Sequence, residues 1–296
     1  MLTPQSQAKE LAKIIGLNTD LYLKREDLLS PYHSHKGRSI PGMLEYYIQQ
    51  GQKNFCISSS GNAALAAAIF VKNYNQTQSA PIQLKIFVGK HIAPHKLTAL
   101  QEVLQHNRQI TLESVQNPKQ SAFMLDKNGV AKNLRQSTDD LALSGYHTLA
   151  EELSLIQNLS AVFVPTSSGT TAQGLFEGFK KIGINPQIHI IQTPKCHPFI
   201  NNSITGPSVA DAIVDTIGYR KQQIQTALAE THGAGWIATD EKITQILGII
   251  ADHHISDQKK PLDVSANSAL SLAGLVLAIE HDWQFTGPVA CLITGK

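Results

Sequence analysis

Apolar positions along this chain switch repeatedly between a period of two, typical of β-strands, and a period of three to four, typical of helices. The strand pattern occurs at 21–24, 54–57, 84–88, 109–112, 161–164 and 187–191. The helix pattern occurs at 40–50, 63–71, 95–104, 146–155 and 171–180, and the polar segment 73–79 is predicted to be a loop. This alternation predicts an α/β fold with parallel sheets covered by helices, in which ligands bind beyond the carboxyl ends of the strands.

Length, charge and cysteine content narrow the class of protein. With 296 residues the chain can form one large domain or two smaller ones. Lys and Arg number 25 against 23 Asp and Glu, so there is no excess of basic side chains for binding nucleic acid. Three cysteines far apart indicate neither a disulfide framework nor a clustered zinc site, which favours a reducing compartment.

Neither a targeting signal nor a membrane span is predicted. The amino terminus lacks a charged region followed by an apolar run. The most apolar stretch, 262–279, contains Ser, Asn and Asp, which suits a buried core helix better than a membrane span. We therefore expect a cytoplasmic protein with no membrane partner.

Two turns follow predicted strands and open predicted helices, at 58–62 and 165–171. Backbone N–H groups at such a position, helped by hydroxyl groups and the helix dipole, suit a carboxylate or a phosphate. The second turn is not a Walker loop and lacks the Gly-x-Gly-x-x-Gly dinucleotide pattern. An ordinary capped helix start explains each turn as well, so the turns alone do not decide the function.

Lys36, within Pro-Tyr-His-Ser-His-Lys-Gly-Arg, is a candidate for covalent chemistry because a lysine amine forms a Schiff base with an aldehyde such as pyridoxal phosphate. By itself such a lysine is more often a solvated residue at a helix start. Among the histidines, His91 and His95 have the spacing of metal ligands on a helix, but no third ligand is implied. No metal site is predicted.

Taken together, the order and spacing of these segments resemble the fold type II family of pyridoxal-phosphate enzymes, which includes threonine synthase, serine and threonine dehydratases and cysteine synthase. The segments 24–28 and 31–38 are similar to the family's Lys-x-Glu-Asp-Leu and lysine motifs, 59–62 to its Ser-x-Gly-Asn turn, and 291–295 to its closing strand. The residues Ser137, Gly145, Thr148 and Glu152 keep the spacing of threonine synthase, the member whose pattern is closest.

The resemblance implies a role for each matching residue. Lys36 is the implied catalytic residue. The implied cofactor-binding residues are Lys36, Asn62, Ser167, Ser168, Gly169, Thr170, Thr171 and Thr294. The implied substrate-binding residues are Ser59, Ser60, Gly61, Ala63 and Ser137.

The resemblance also implies an architecture. It predicts two domains, each an open and mostly parallel sheet flanked by helices, with pyridoxal 5'-phosphate in a cleft between them. Residues 1–35 with 146–296 would form the larger, cofactor-binding domain, and residues 36–145 a smaller, mobile, substrate-side domain. A homodimer is expected because members of the family usually form homodimers.

Several positions depart from the family's pattern and bear on the reaction. Ala142 stands where threonine synthase has an arginine that grips the substrate's phosphate, Gly37 follows the lysine, and Ser168 and Thr170 replace glycines. The predicted function is a pyridoxal-phosphate-dependent lyase acting on a carbon–oxygen bond, by elimination or replacement at an amino acid's side chain, as in threonine synthase. The alternatives are a serine/threonine dehydratase and a catalytically degenerate protein that binds the cofactor or an amino acid.

Overall fold

A computed structural model describes residues 2–105 and 107–295. The chain divides into two compact units. The larger unit comprises the chain up to Leu29 together with the chain from Leu143 onward, and the smaller unit comprises Ser30–Ala142. The sequence-based boundaries, after residues 35 and 145, lie a few residues further along the chain.

Strands and helices alternate through most of the described chain. The strands are β1 (Gln5–Gln7), β2 (Leu21–Arg25), β3 (Asn54–Ser58), β4 (Gln83–Gly89), β5 (Ile110–Val115), β6 (Lys132–Asn133), β7 (Ala161–Pro165), β8 (Gln187–Gln192), β9 (Gly235–Ile237), β10 (Ser256–Asp257), β11 (Lys260–Pro261) and β12 (Val289–Ile293). The helices are α1 (Lys9–Ile14), α2 (Lys36–Gln49), α3 (Asn62–Thr77), α4 (Pro94–Leu104), α5 (Pro118–Lys127), α6 (Ser144–Leu153), α7 (Thr170–Lys181), α8 (Lys221–Thr231), α9 (Asp240–Asp252) and α10 (Ala266–Glu280). Short 3-10 helices lie at Glu26–Leu28 and Asp140–Leu143.

The larger unit is built on a sheet of order β1-β2-β12-β7-β8-β9, in which only β1 pairs antiparallel with its neighbour. Successive side chains of a strand point to opposite faces of the sheet, and helices cover both faces here. The central strands are therefore buried on both sides. In β7, Phe163 joins the core that includes α10, whereas Val162 and Val164 join the core that includes α6 and α7. Continuous apolar runs such as 161–164 therefore mark the middle of this sheet.

The smaller unit has a parallel sheet of order β5-β4-β3-β6. The helices α2 and α3 pack their apolar residues against it, with Ile40, Met43 and Leu44 of α2 fully buried. Both units are thus helix-flanked, mostly parallel sheets, which confirms the predicted fold class. Among the described residues, no helix is long and apolar enough to cross a membrane.

Two local predictions were wrong. The segment 73–79 is not a loop throughout, because α3 continues to Thr77. Tyr74 stacks on Phe70, and the side chain of Asn75 exchanges two hydrogen bonds with the backbone of Ile82. These contacts stabilise a polar last turn that periodicity alone assigns to a loop. The other error is the start of α2, which begins at residue 36 rather than 40 even though Pro41 lies inside the helix.

A buried histidine organises aromatic side chains in the larger unit. His189 on β8 is fully buried and stacks on Phe163 with ring centroids 4.4 Å apart. Its Nδ1 accepts from Trp236 Nε1 at 3.1 Å, and its Nε2 lies 3.1 Å from Gln187 Oε1. The Nδ1 contact requires an unprotonated nitrogen there, so the folded protein holds the neutral imidazole. Burial lowers the pKa of His189 to about 3.

Replacing His189 by glutamine is expected to reduce the acid sensitivity of the fold. In the unfolded chain a histidine takes up a proton below about pH 6.5, whereas the folded protein keeps His189 neutral until about pH 3. Because the unfolded state binds the extra proton, this residue makes the free energy of unfolding fall by about 2 kcal/mol between pH 7 and pH 5. Urea denaturation at the two pH values measures the difference. The His189→Gln variant should lose about that much of the pH dependence, while the matched change at exposed His253 should lose none.

Candidate active site

The Ser58–Asn62 turn of the smaller unit joins the carboxyl end of β3 to α3. Gly61 is the N-cap of α3 in an extended conformation, and Asn62 is the first helical residue. Ser59 Oγ accepts a hydrogen bond from the Gly61 N–H at 3.2 Å, which holds the turn in place. The first N–H groups of a helix have no acceptor within the helix, so this turn presents donors suited to a carboxylate. The predicted substrate-binding residues Ser59, Ser60, Gly61 and Ala63 all lie here and are partly exposed.

Lys36 is the first residue of α2. The helix begins with tight turns, in which the Gly37 and Arg38 N–H groups donate to the carbonyls of Ser34 and His35. The departure at Gly37 has a local cause, because a Cβ there would overlap the ring of Tyr32. A glycine at this position lets Tyr32 pack over the helix start beside Lys36.

Ser137 lies at the end of the small sheet at which β3 leads into the Ser58–Asn62 turn. It follows β6, which runs parallel to β3, so the segments after both strands leave the sheet at the same edge. Arg135 Nε donates to Ser137 Oγ at 3.2 Å, and Gln136 Nε2 donates to Ser39 Oγ on the first turn of α2. The smaller unit therefore contains Lys36, the Ser58–Asn62 turn and Ser137, and the Gln136–Ser39 bond links the segment of Ser137 to the start of α2. Their roles in catalysis and in substrate binding stay predictions. Arg135 and Gln136 were not singled out from the sequence, since neither belongs to a recognised motif.

Ala142 and its acidic neighbour Asp139 contact other residues of the smaller unit. Ala142 is fully buried in the apolar core of the smaller unit. The Asp139 carboxylate accepts from Tyr47 Oη at 2.7 Å and from the Leu141 N–H at 3.0 Å. Burial, together with the Asp139 carboxylate, raises the pKa of Tyr47. Position 142 thus contributes an apolar contact to the core of the smaller unit.

In the larger unit, the turn from Thr166 to Gly169 joins β7 to α7. Gly169 adopts a left-handed conformation with φ of 83°, which glycine adopts without strain. A Cβ at Gly169 would lie 2.9 Å from Ile224 Cγ1, so close packing also favours glycine here. Ser168 Oγ and Thr170 Oγ1 are 2.8 Å apart, and Thr170 and Thr171 open the helix. The N–H and hydroxyl donors of this turn suit an anion.

Ser167 also anchors a neighbouring loop, residues 193–220. Its Oγ accepts from the Val214 N–H at 3.1 Å and the Asp215 N–H at 3.2 Å, and it donates to Asp215 Oδ2 at 3.0 Å. These three bonds use the donor and both lone pairs of the hydroxyl. The group that Ser167 offers to an anion is therefore its backbone N–H.

Thr294 lies just beyond β12, the neighbour of β7 in the parallel sheet. Its Oγ1 is 3.5 Å from Ser268 Oγ on α10. Ser268 Oγ in turn donates to the Gly295 carbonyl at 2.7 Å and accepts from the Gly295 N–H at 3.2 Å. Thr294 and the 166–171 turn thus leave the sheet at adjacent strand ends. Ser268 is a supporting residue in α10, within the apolar stretch 262–279 that the sequence predicts to be a core helix.

Comparison with known proteins gives the family of this chain. The family model described as pyridoxal-phosphate dependent enzyme matches residues 2–295. The chain belongs to this family. Its cofactor is therefore pyridoxal 5'-phosphate.

Individual members of the family differ in the reactions their names describe. Threonine synthase of Mycobacterium tuberculosis is 25% identical over 318 residues, covering 99% of this chain and 81% of that enzyme. Human L-serine dehydratase/L-threonine deaminase is 27% identical over 189 residues, which cover 61% of this chain and about half (53%) of the human enzyme. The structure of maize serine racemase superposes with a TM-score of 0.79 at 18% identity, covering 99% of this chain and 87% of that one, and supports the fold alone.

The residues of this pyridoxal-phosphate dependent enzyme suit the cofactor. The 166–171 turn offers N–H and hydroxyl donors around a left-handed glycine, which suit a phosphate group. Thr294 offers a hydroxyl, and Lys36 supplies an amine for the aldehyde. One group departs from this pattern, because the Asp215 carboxylate is bound to Ser167 in the turn itself.

Proposed function

We propose that this protein catalyses elimination or replacement at the side chain of an amino acid, in the manner of threonine synthase. The observation that carries the proposal is the grouping of Lys36, the Ser58–Asn62 turn and Ser137 within one unit. Pyridoxal phosphate, when bound, supplies an electron sink for charge developing at the amino acid's Cα.

In this proposal Lys36 has two tasks. Its Nζ would hold the cofactor through the aldehyde, and the same amine would act as the general base that takes the proton from Cα of the substrate. The N–H groups of the Ser58–Asn62 turn bind the substrate's carboxylate and fix the direction of the Cα–H bond. Ser137, whose hydroxyl accepts a hydrogen bond from Arg135, is the residue proposed to contact the substrate's side chain.

The remaining predicted residues orient the cofactor. The backbone of residues 167–171, with the hydroxyls of Ser168, Thr170 and Thr171, holds the phosphate. The resemblance implies that Asn62 would be the partner of the ring's phenolic oxygen and Thr294 that of the pyridine nitrogen. A hydroxyl at the nitrogen, rather than a carboxylate, leaves that nitrogen largely unprotonated, which suits side-chain elimination and replacement.

A serine/threonine dehydratase is the second candidate, and the surroundings of Ala142 favour it. This position is buried and apolar, so it does not provide the cation that a phosphorylated substrate requires. A dehydratase substrate has an uncharged hydroxyl as its leaving group and needs no such cation. The homodimer and the cytoplasmic location stay predictions.

An amino-acid panel tests the proposal. The purified protein, loaded with pyridoxal phosphate, is mixed with L-serine, L-threonine or O-phosphohomoserine, while cofactor absorbance, keto acid and inorganic phosphate are followed. We expect at least one compound to change the absorbance and to give product. Threonine and phosphate from O-phosphohomoserine and water support the threonine synthase reaction, and keto acid with ammonia from serine or threonine supports the dehydratase. An absorbance that responds to no amino acid would contradict both candidates and favour a degenerate binding protein.

A further inference from the structure

Asp215 places a carboxylate against the phosphate-binding turn. Its Oδ2 accepts from Ser167 Oγ at 3.0 Å, and the Asp215 and Val214 N–H groups donate to the same hydroxyl. The Asp215 carbonyl accepts from the Sγ of buried Cys196 at 2.8 Å, which fixes the backbone from the other side. The carboxylate is thus held near the turn by several bonds.

The charge of Asp215 opposes the ligand that this turn is proposed to hold. A phosphate monoester carries between one and two negative charges at neutral pH. The N–H groups and hydroxyls of the turn attract such an anion. The Asp215 carboxylate, which is hydrogen-bonded to Ser167 of the turn, repels it. Both Ser167 and Asp215 are only partly exposed, so water screens this repulsion incompletely.

A positive group lies near the start of α7, the helix that follows the same turn. Arg220, the N-cap of α8, is 3% exposed, and its Nη1 donates to Gln173 Oε1 in α7 at 2.9 Å. The guanidinium strengthens anion binding at the start of α7, and the Asp215 carboxylate counteracts it. The chain therefore places charges of both signs around a turn that binds anions through neutral donors.

We propose that Asp215 limits how tightly the turn of residues 167–171 binds the phosphate group of pyridoxal phosphate. This inference rests on the proposed role of the turn as the phosphate site. Because Asp215 weakens binding, the fraction of the protein that carries the cofactor depends on the concentration of free cofactor. Asp215 acts through charge, whereas its hydrogen bond to Ser167 keeps the loop in place.

The Asp215→Asn variant separates these two effects, because the amide oxygen still accepts from Ser167 but the charge is gone. Cofactor-free protein is titrated with pyridoxal phosphate and, separately, with pyridoxal, which lacks the phosphate, and binding is followed by protein fluorescence and cofactor absorbance. We expect Asp215→Asn to lower the Kd for pyridoxal phosphate about tenfold and to change the Kd for pyridoxal less than about twofold, since the removed repulsion acts on the phosphate alone. The matched control is Asp211→Asn in the same loop, whose carboxylate accepts from Asn267 Nδ2 at 3.1 Å, and it should change neither Kd.

A second measurement uses inorganic phosphate alone. Adding it should raise the melting temperature of the cofactor-free Asp215→Asn protein more than that of the unchanged protein, because a tighter ligand stabilises the folded state more at equal concentration. An unchanged or weaker affinity for pyridoxal phosphate in Asp215→Asn, or an equal gain for pyridoxal, would overturn the inference while leaving the proposed function intact. Failure of the unchanged protein to bind pyridoxal phosphate at all would overturn both.

Discussion

Replacing Lys36 by alanine is expected to lower turnover by about a thousandfold or more, because the variant loses both the group that holds the cofactor and the proposed general base. Covalent retention of the cofactor should be lost as well. Borohydride reduction followed by mass spectrometry measures this directly. In the unchanged protein the cofactor's mass should appear on the peptide that contains Lys36, and in Lys36→Ala it should appear on no peptide.

Two further variants show whether the effect belongs to the amine. Lys36→Arg keeps the positive charge at the start of α2 but cannot form the covalent bond, so it should be as inactive as Lys36→Ala. Lys53→Ala removes an exposed lysine from the same unit and should leave labelling and turnover unchanged. Labelling of a different lysine in the unchanged protein would show that Lys36 has been misassigned.

How far the sequence predicts the fold depends on how each segment is buried. The strands β7 and β8 lie in the middle of the sheet, so 161–164 is wholly apolar and 187–191 mainly apolar, and both were predicted close to their observed bounds. The helices α5 and α8 cover less of the core. In α8 only Ile224, Ala227 and Thr231 are buried, and glutamines at 222, 223 and 225 flank Ile224, so the helical pattern was not recognised.

The site shows a similar division. Lys36, Ser59–Asn62 and the 167–171 turn belong to motifs of consecutive residues. The sequence places both turns between a strand and a helix, whereas Lys36 precedes the predicted helix 40–50. The bond from Ser167 to Asp215 joins residues 48 positions apart through an irregular loop. No periodicity or motif constrains the path of that loop, so the carboxylate beside the turn of residues 167–171 became apparent only in three dimensions. Arg135 and Ser137 are close in sequence, but the direction of the arginine side chain in the bend after β6 does not follow from any motif. The bond between them therefore also became apparent only in the structure.

The second large effect is expected from a buried ion pair in the larger unit. Lys24 on β2 is 1% exposed, and its Nζ lies 2.5 Å from Glu152 Oε2 on α6. The same ammonium donates to the Thr3 carbonyl at 2.9 Å, and Glu152 accepts from the Thr3 N–H at 3.1 Å. This network ties the amino-terminal segment to the sheet and to α6, and every member of it is shielded from water.

Replacing Lys24 by methionine is therefore expected to lower the free energy of unfolding by about 3–5 kcal/mol, because it leaves the Glu152 carboxylate buried without its cation. The melting temperature should fall by roughly 10 °C, which calorimetry or circular dichroism measures. The double variant Lys24→Met/Glu152→Gln removes both charges and keeps an acceptor for the Thr3 N–H, so it should recover at least half of the loss. Breaking the exposed pair Lys180–Glu230, whose side chains are 66% and 47% accessible, by Lys180→Met should cost less than about 1 kcal/mol. If the double variant were no more stable than Lys24→Met, the loss would come from packing of the lysine stem rather than from an uncompensated charge.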